Sequence, residues 1–534
     1  MPEALLAGFS PALMLPDVMP QLGPFTAGSW QGPGWILLAL AAINIIIVII
    51  LAFTIGHNRR PTTSVAWLLA ITLIPYIGLC FFLLFGTNRL PASRRAKQAR
   101  FDSIIREVMD ELETVGQYAP VPGRFKRVSK LARTLTAIPH LPGNRIQIHT
   151  DYNTTLNAMA AELDTAEQYA HVLFYAMGYD DSTREFFDAL ERAHARGVKV
   201  RLLYDQIGTC RYPGYRKMKR RLSDSGIEWR RLYPIWPWQG GWQRPDLRNH
   251  RKLLVVDSRV AWMGSQNLID RGYHRGRARY GNIHQQWQDL MVRLDGPIAL
   301  GVDAIFRSDW FAETNVIPQD GESLHSKLLD TDPDSAIAPP NDEANEGALT
   351  HLYDCQLVPS GPGYEHENNL RIFTQLLYQA KHRVVIASPY FVPDDSMLYA
   401  ITTAVQRGVS VDLHVSAQGD QFFTHHAQQS YYEQLLRAGV RIWLYREPYV
   451  LHAKHMTVDG EVTLVGSSNM DMRSFTLNAE MMLIVYGREF TARMATVEQE
   501  YRNNSTELSL VDWMSRPRWR RWVDDLCRLT SVVQ

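Results

Sequence analysis

His250-Arg-Lys252-Leu-Leu-Val-Val-Asp257, followed by Gly264-Ser265-Gln-Asn267, returns two hundred residues later as His452-Ala-Lys454-His-Met-Thr-Val-Asp459 and Gly466-Ser467-Ser-Asn469. Both copies read HxKx4Dx6GSxN. Six fixed positions at about one in twenty each make a chance occurrence rarer than about one in 10⁷ per site. A single histidine or lysine is usually a solvated surface residue, but that reading does not account for two full copies in matching surroundings. Alternation along a strand puts His250, Lys252, Leu254 and Val256 on one face, and His452, Lys454, Met456 and Val458 likewise. Imidazole and ammonium then project together from the start of the strand while its far end enters a core. Asp257-Ser-Arg and Asp459-Gly-Glu read as hairpin turns, after which a short return strand brings the Gly-Ser-x-Asn loop back toward the histidine.

Working outward, other segments repeat in the same order. Ala193-His-Ala-Arg-Gly-Val-Lys-Val200 is echoed by Ala404-Val-Gln-Arg-Gly-Val-Ser-Val411, and Gly226-Ile-Glu-Trp-Arg-Arg-Leu-Tyr233 by Gly439-Val-Arg-Ile-Trp-Leu-Tyr445. Each half therefore reads helix, Gly turn, strand, helix, Gly turn, strand, which predicts two similar α/β layers. A chain of 534 residues suits two or three domains. Between the halves, 318–350 is rich in Asp, Glu, Pro, Ser and Asn and reads as an acidic connector.

The motif residues suit chemistry on a phosphodiester. Attack at phosphorus concentrates negative charge on the non-bridging oxygens, which two lysines and hydrogen-bond donors from Ser265, Asn267, Ser467 and Asn469 would stabilise. One neutral histidine attacks phosphorus and the other, protonated, delivers its proton to the leaving alkoxide, so a covalent phosphohistidine is expected. His250, Lys252, Asp257, His452, Lys454 and Asp459 are the candidate catalytic set. The two aspartates, at the far ends of their strands, are expected to serve structure within it. A carboxylate behind each imidazole would fix its tautomer, and Asp289 and Glu480, downstream of the two motifs, are candidates for that role. No metal cluster or cofactor motif is evident. The four cysteines are scattered, with no CxxC spacing.

Before the motifs, Trp35 to Ile55 carries no charge over about 21 residues, long enough for one transmembrane helix, and Ser64 to Phe85 reads as a second, with Pro75 and Gly78 as kink sites. The first thirty residues lack the basic segment of a signal peptide. Arg89, Arg94, Arg95, Lys97 and Arg100 follow the second run, against Arg59 and Arg60 in the link, which predicts a catalytic part on the cytoplasmic side. The net charge of +1 provides no overall field for nucleic acid. Arg271, Arg275, Arg277 and Arg279 form a local basic run suited to a phospholipid headgroup. Fourteen tryptophans, several beside arginine, fit a lipid boundary, as in Trp513-Met-Ser-Arg516-Pro-Arg518-Trp519-Arg520-Arg521-Trp522, although a packed terminal helix fits as well.

Together these residues resemble the phospholipase D superfamily, in which paired motifs from two similar α/β domains meet in one active site. Within it the chain is similar to bacterial cardiolipin synthases, through Arg60-Pro61, Ala66-Trp67, Phe85-Gly86-Thr-Asn88, Ser388-Pro-Tyr-Phe-Val-Pro-Asp394 and Ser474-Phe-Thr-Leu-Asn478-Ala-Glu480. The resemblance implies transfer of a phosphatidyl group between two phosphatidylglycerol molecules at the cytoplasmic membrane, without cofactor or nucleic acid, with His250 as nucleophile and His452 as acid and then base. It implies a tail (1–34), a transmembrane hairpin (35–88), a basic linker (89–142), two domains (143–317 and 351–534) and the connector (318–350). A hydrolytic or headgroup-exchanging phospholipase D, a nuclease of the superfamily and a non-enzymatic membrane scaffold remain rival readings. One departure from the repeat is the interval Gly226 to His250, eleven residues longer than Gly439 to His452, with Trp236, Trp238 and Trp242 in the excess. Such a loop could shape an acceptor pocket or cap a core edge.

Overall fold

The computed structural model describes residues 34–55, 61–74, 76–86, 90–91, 94–99, 103, 121, 123–234, 244–273, 285–318 and 351–529. The tail 1–33, Arg59 and Arg60, the three tryptophans of the long interval, Arg275, Arg277 and Arg279, and the connector from 319 to 350 lie outside them. The chain divides into two compact units, 1–87 and 88–534.

In the first unit Gly34–Ile55 is a single helix of 22 residues. The second uncharged run differs from the expected continuous span. It forms two helices, Pro61–Leu73 and Ile77–Phe85, which pack on each other through an edge-on contact of Trp67 and Phe82 with ring centroids 5.5 Å apart. A side chain at Gly78 would strike the backbone of Ala70 and Ile71, so glycine permits that approach. The break falls around Pro75, which lacks an N–H and disfavours helical backbone in the residue before it. Among the described residues no helix is long and apolar enough to cross a membrane. Within Gly34–Ile55 the side chains are described without interruption only over 38–51.

The second unit is built on a mixed sheet whose strand order is a palindrome. From one edge it runs Glu228–Leu232, Lys199–Asp205, Tyr169–Phe174, Lys252–Val256, Val260–Gly264, Met291–Asp295 and Leu141–His149. It then retraces the pattern through Tyr353–Ser360, Asn478–Tyr486, Val462–Gly466, His455–Val458, Arg383–Ala387, Ser410–Ser416 and Arg441–Tyr445, with Ser505–Leu508 added at the far edge. The halves join where Leu141–His149 pairs antiparallel with Tyr353–Ser360. In each half two successive pairings are parallel, Tyr169–Phe174 to Lys199–Asp205 to Glu228–Leu232 and Arg383–Ala387 to Ser410–Ser416 to Arg441–Tyr445, made by crossover helices such as Arg184–Ala195 and Asp395–Gln406. The remaining pairings are antiparallel.

The motif strands are buried throughout because both their faces are covered. Leu254 and Val256 enter the core of the first half, whereas Leu253 and Val255 enter the core that lies between the halves. The motif aspartates close these strands at the end away from the histidines. Asp257 accepts from the backbone N–H groups of Glu167, Gln168 and Tyr169 at 2.8–2.9 Å. Asp459 accepts from those of Lys381, His382 and Arg383 at 2.7–2.8 Å and pairs with Arg124. Each thus ties the motif strand to the start of the neighbouring strand, and neither side chain belongs to a reaction centre.

Candidate active site

Each motif histidine begins where its strand meets the other half. Arg248–Asn249 runs parallel to Asn478 and Ala479, and the His250 N–H donates to the Ala479 carbonyl at 2.8 Å. Tyr449–Leu451 runs parallel to Gln286–Gln288, and the His452 N–H donates to the Gln288 carbonyl at 2.7 Å. This backbone pairing carries the imidazoles across the boundary. Nδ1 of His250 lies 2.9 and 3.1 Å from the two carboxylate oxygens of Glu480, and Nδ1 of His452 lies 2.6 Å from Oδ1 of Asp289. The histidine of each half is held by the carboxylate of the other. Chain order gave no sign of this crossing.

The Gly-Ser-x-Asn loops support the carboxylates. A side chain at Gly264 would strike the Leu290 backbone, and one at Gly466 the Met481 carbonyl, so glycine lets each loop lie against the strand that bears its acid. The Ser265 hydroxyl donates to Asp289 at 2.6 Å and accepts from the Leu290 N–H; Ser467 does the same with Glu480, at 2.6 Å, and the Met481 N–H. Both hydroxyls are therefore engaged with the protein, which corrects the expectation that they reach a phosphate. Asn267 accepts from the Ala176 N–H at 3.2 Å and donates to the Tyr273 hydroxyl at 2.8 Å. Asn469 is buried, and its Oδ1 has no hydrogen-bond partner among the described residues.

Lys252 and Lys454 are both fully buried and donate to the carbonyl of their own motif histidine at 2.5 Å, which uses one N–H of each ammonium. Burial lowers Lys454 to about 8 and holds Lys252 well below its ordinary range. Burial, then the two lysines, then His452, hold His250 well below the usual histidine value. His452 is also lowered, by burial and Lys454, against the opposing pull of Asp289. The carboxylates respond in opposite directions. Burial pushes Glu480 up to about 7, whereas for Asp289 the penalty of burial is outweighed by His452 and Lys454, leaving it below its ordinary value.

Some residues at the site carry no motif signal. The Tyr175 ring stands edge-on to His250 with centroids 4.7 Å apart, and Arg211 donates to its hydroxyl at 3.3 Å. Asp205 is fully buried and accepts from the Asn249 N–H at 3.0 Å and from Arg248, fixing the approach to His250. Its place at the end of Arg-Leu-Leu-Tyr-Asp205 was the available clue. Arg271, from the basic run, donates to the Trp287 carbonyl and to Gln288 and lies over Tyr449, so it braces the pairing between the halves. Among the described residues no group of three or more His, Cys, Asp or Glu side chains is disposed to hold a metal.

A family model described as cardiolipin synthase, PLD-like domain, matches residues 159–310 and 373–501, together more than half of the chain. A phospholipase D-nuclease N-terminal model matches 42–86. Among curated relatives, cardiolipin synthase A of Proteus mirabilis (strain HI4320) is 31% identical over 93% of this chain and 96% of its own length. Cardiolipin synthase A of Serratia proteamaculans (strain 568) is 31% identical over 92% and 95%. Among solved structures, phosphatidylserine synthase of Haemophilus influenzae Rd KW20 covers 76% of this chain and 100% of its own with a TM-score of 0.54 at 15% identity, a likeness of fold.

Proposed function

The chain belongs to the family of cardiolipin synthases with phospholipase D-like domains, and from that premise we propose that it moves a phosphatidyl group from one phosphatidylglycerol to the glycerol hydroxyl of another. It is a phosphatidyltransferase of the phospholipase D type. The observation that carries the mechanism is the crossed pairing of two buried histidines with Glu480 and Asp289. Because Nδ1 of each ring is bonded to a carboxylate, Nε2 is the nitrogen left for chemistry.

The unequal electrostatics support a division of roles. His250, kept neutral by burial and by both lysines, has the free electron pair of a nucleophile. Its Nε2 forms the bond to phosphorus as the bond to the departing glycerol oxygen breaks. His452, whose Asp289 stays ionised, is the better place for a proton and delivers it to that oxygen. A hydroxyl of the second lipid then gives its proton to His452 and attacks phosphorus, and the His250–phosphorus bond breaks. The remaining N–H groups of Lys252 and Lys454 and the amide of Asn469 face the charge gathered on the non-bridging oxygens. Ser265, Ser467, Asp205 and Tyr175 position these groups, and the motif aspartates anchor the strands.

The enzyme acts at the membrane. The uncharged run from Trp35 to Ile55 is the part of the sequence suited to attach the chain to the membrane. The two following helices, of 13 and 9 residues, are each too short to cross. The basic residues Arg94, Arg95 and Lys97 that follow the apolar segment in the sequence favour a catalytic unit on the cytoplasmic side. Digestion of the catalytic unit by protease added outside sealed inverted vesicles is expected; protection would contradict that orientation.

The test of the reaction is product analysis of full-length enzyme given labelled phosphatidylglycerol alone. Cardiolipin and glycerol in equal amounts are expected. Phosphatidic acid as the sole lipid product would make the chain a hydrolase.

A further inference from the structure

At the far side of the second half, the helix Arg518–Arg528 is bolted by polar groups to the helix Phe422–Gln429. Asp524, fully buried, lies 2.6 Å from Nδ1 of His426 and accepts from Arg516 at 2.8 Å, and Arg516 also reaches Gln429. Cys527 is buried beside them. This clamp fixes which faces the two helices turn outward. Trp519, Trp522, Leu526 and Leu529 recur at helical spacing on one stripe and, with Phe422 and Phe423 of the neighbouring helix, are 49–77% exposed. Single exposed apolar side chains are ordinary, but six large ones on two clamped helices are a surface with an occupant.

We infer that this surface inserts into the interface of an anionic lipid bilayer and sets the reaction centre at headgroup depth. Tryptophan and phenylalanine beside arginine are the side chains that settle at that boundary. The charge fits as well. On the terminal helix Arg518 and Arg520 are exposed, with Arg520 lying over Trp519, against one exposed carboxylate, Asp525, while Asp524 is turned inward and paired. The surface is continuous with the site. Phe422 follows directly on Asp420 and Gln421, both bonded to the Tyr390 hydroxyl, and Ser388, two residues before Tyr390, accepts from the Met470 N–H next to Asn469. A bilayer seated on these aromatics would bring its headgroups to the segment that contacts the loop of Asn469.

The inference rests on the lipid-handling reading of the site, and its test is independent of turnover. A photo-crosslinking amino acid is placed at Trp522 or Phe423 in the full-length chain carrying His250→Ala, in vesicles containing labelled phosphatidylglycerol, with exposed Tyr399 as the control position. Phospholipid adducts at both positions about fivefold or more above Tyr399 are expected. Adducts at the control level, or to a second copy of the chain, overturn the proposal. In the active enzyme Trp519→Ser with Trp522→Ser is expected to raise the half-saturating surface fraction of phosphatidylglycerol about five- to tenfold, leaving kcat and turnover of monomeric short-chain lipid unchanged. Trp522→Phe should restore it. An equal loss on vesicles and monomeric lipid would place the tryptophans in folding and refute a docking role.

Discussion

His250 with Glu480 and His452 with Asp289 occupy equivalent places in a palindromic sheet, are reached by the same backbone pairing across the same boundary, and are supported by the same serine. Their charges differ. Glu480 meets its histidine through two bonds of 2.9 and 3.1 Å and is driven by burial up to about 7, while Asp289 makes one bond of 2.6 Å and is held below its ordinary value. The chain holds two copies of an imidazole–carboxylate pair, and in the proposed mechanism their different surroundings divide the labour of nucleophile and acid between them.

The largest expected effects separate the histidines. His250→Ala and His452→Ala should each lower kcat on phosphatidylglycerol by about 10³-fold or more. A lipid with an activated leaving group, which needs no protonation, should restore the first step to the His452 variant and leave the His250 variant inactive, as a burst of released leaving group would record. Equal rescue of both would erase the distinction.

The carboxylates should differ in stability more than in rate. Asp289→Asn and Glu480→Gln are each expected to cost about 10²-fold in kcat. Because the folded state holds Asp289 below its ordinary value, its contribution to stability is present at neutral pH and is lost on acidification, so Asp289→Asn should lower Tm at pH 7. Glu480 has the opposite sign. Its raised value means stability is greatest while it is protonated and declines as pH rises through about 7, so Glu480→Gln should raise Tm at pH 8, by about 2 °C or more, and leave it unchanged near pH 4. Shifts of the same sign for both variants at pH 8 would break the comparison.

Lys454 sharpens it on the alkaline side. With the ammonium lowered to about 8, activity should fall as pH rises through that value, and Lys454→Arg should lower kcat about tenfold. The smallest effects belong to the serines. Ser265→Ala and Ser467→Ala should lower kcat about three- to tenfold, corresponding to about 1 kcal/mol for one supporting hydrogen bond. A rise in the KM for lipid with kcat unchanged would return them to the phosphate.

Much of this was legible because it is local. Alternation in His250-x-Lys252 and the repeated Arg-Gly-Val turns follow from strand and helix periods, and they anticipated two similar halves of strands and crossover helices. The aspartates could be set at the far strand ends by counting. What was not legible is tertiary. No spacing tells His250 to seek Glu480, 230 positions away, because that partner is chosen by the pairing of Arg248–Asn249 with the start of Asn478–Tyr486. The serines read as phosphate donors because sequence shows a hydroxyl and not the carboxylate already 2.6 Å from it. Hydropathy showed that Ser64 to Phe85 is apolar and left open that one helix ends at Leu73 and another begins at Ile77.

The division of labour is tested most directly by locating the covalent adduct. Acid-quenched, rapidly mixed reactions of the full-length enzyme with labelled phosphatidylglycerol, digested and read by mass spectrometry, should place the phosphatidyl group on the peptide containing His250, in wild type and in His452→Ala given an activated substrate. An adduct on His452 in the wild type would contradict the account and reverse the roles of the two pairs.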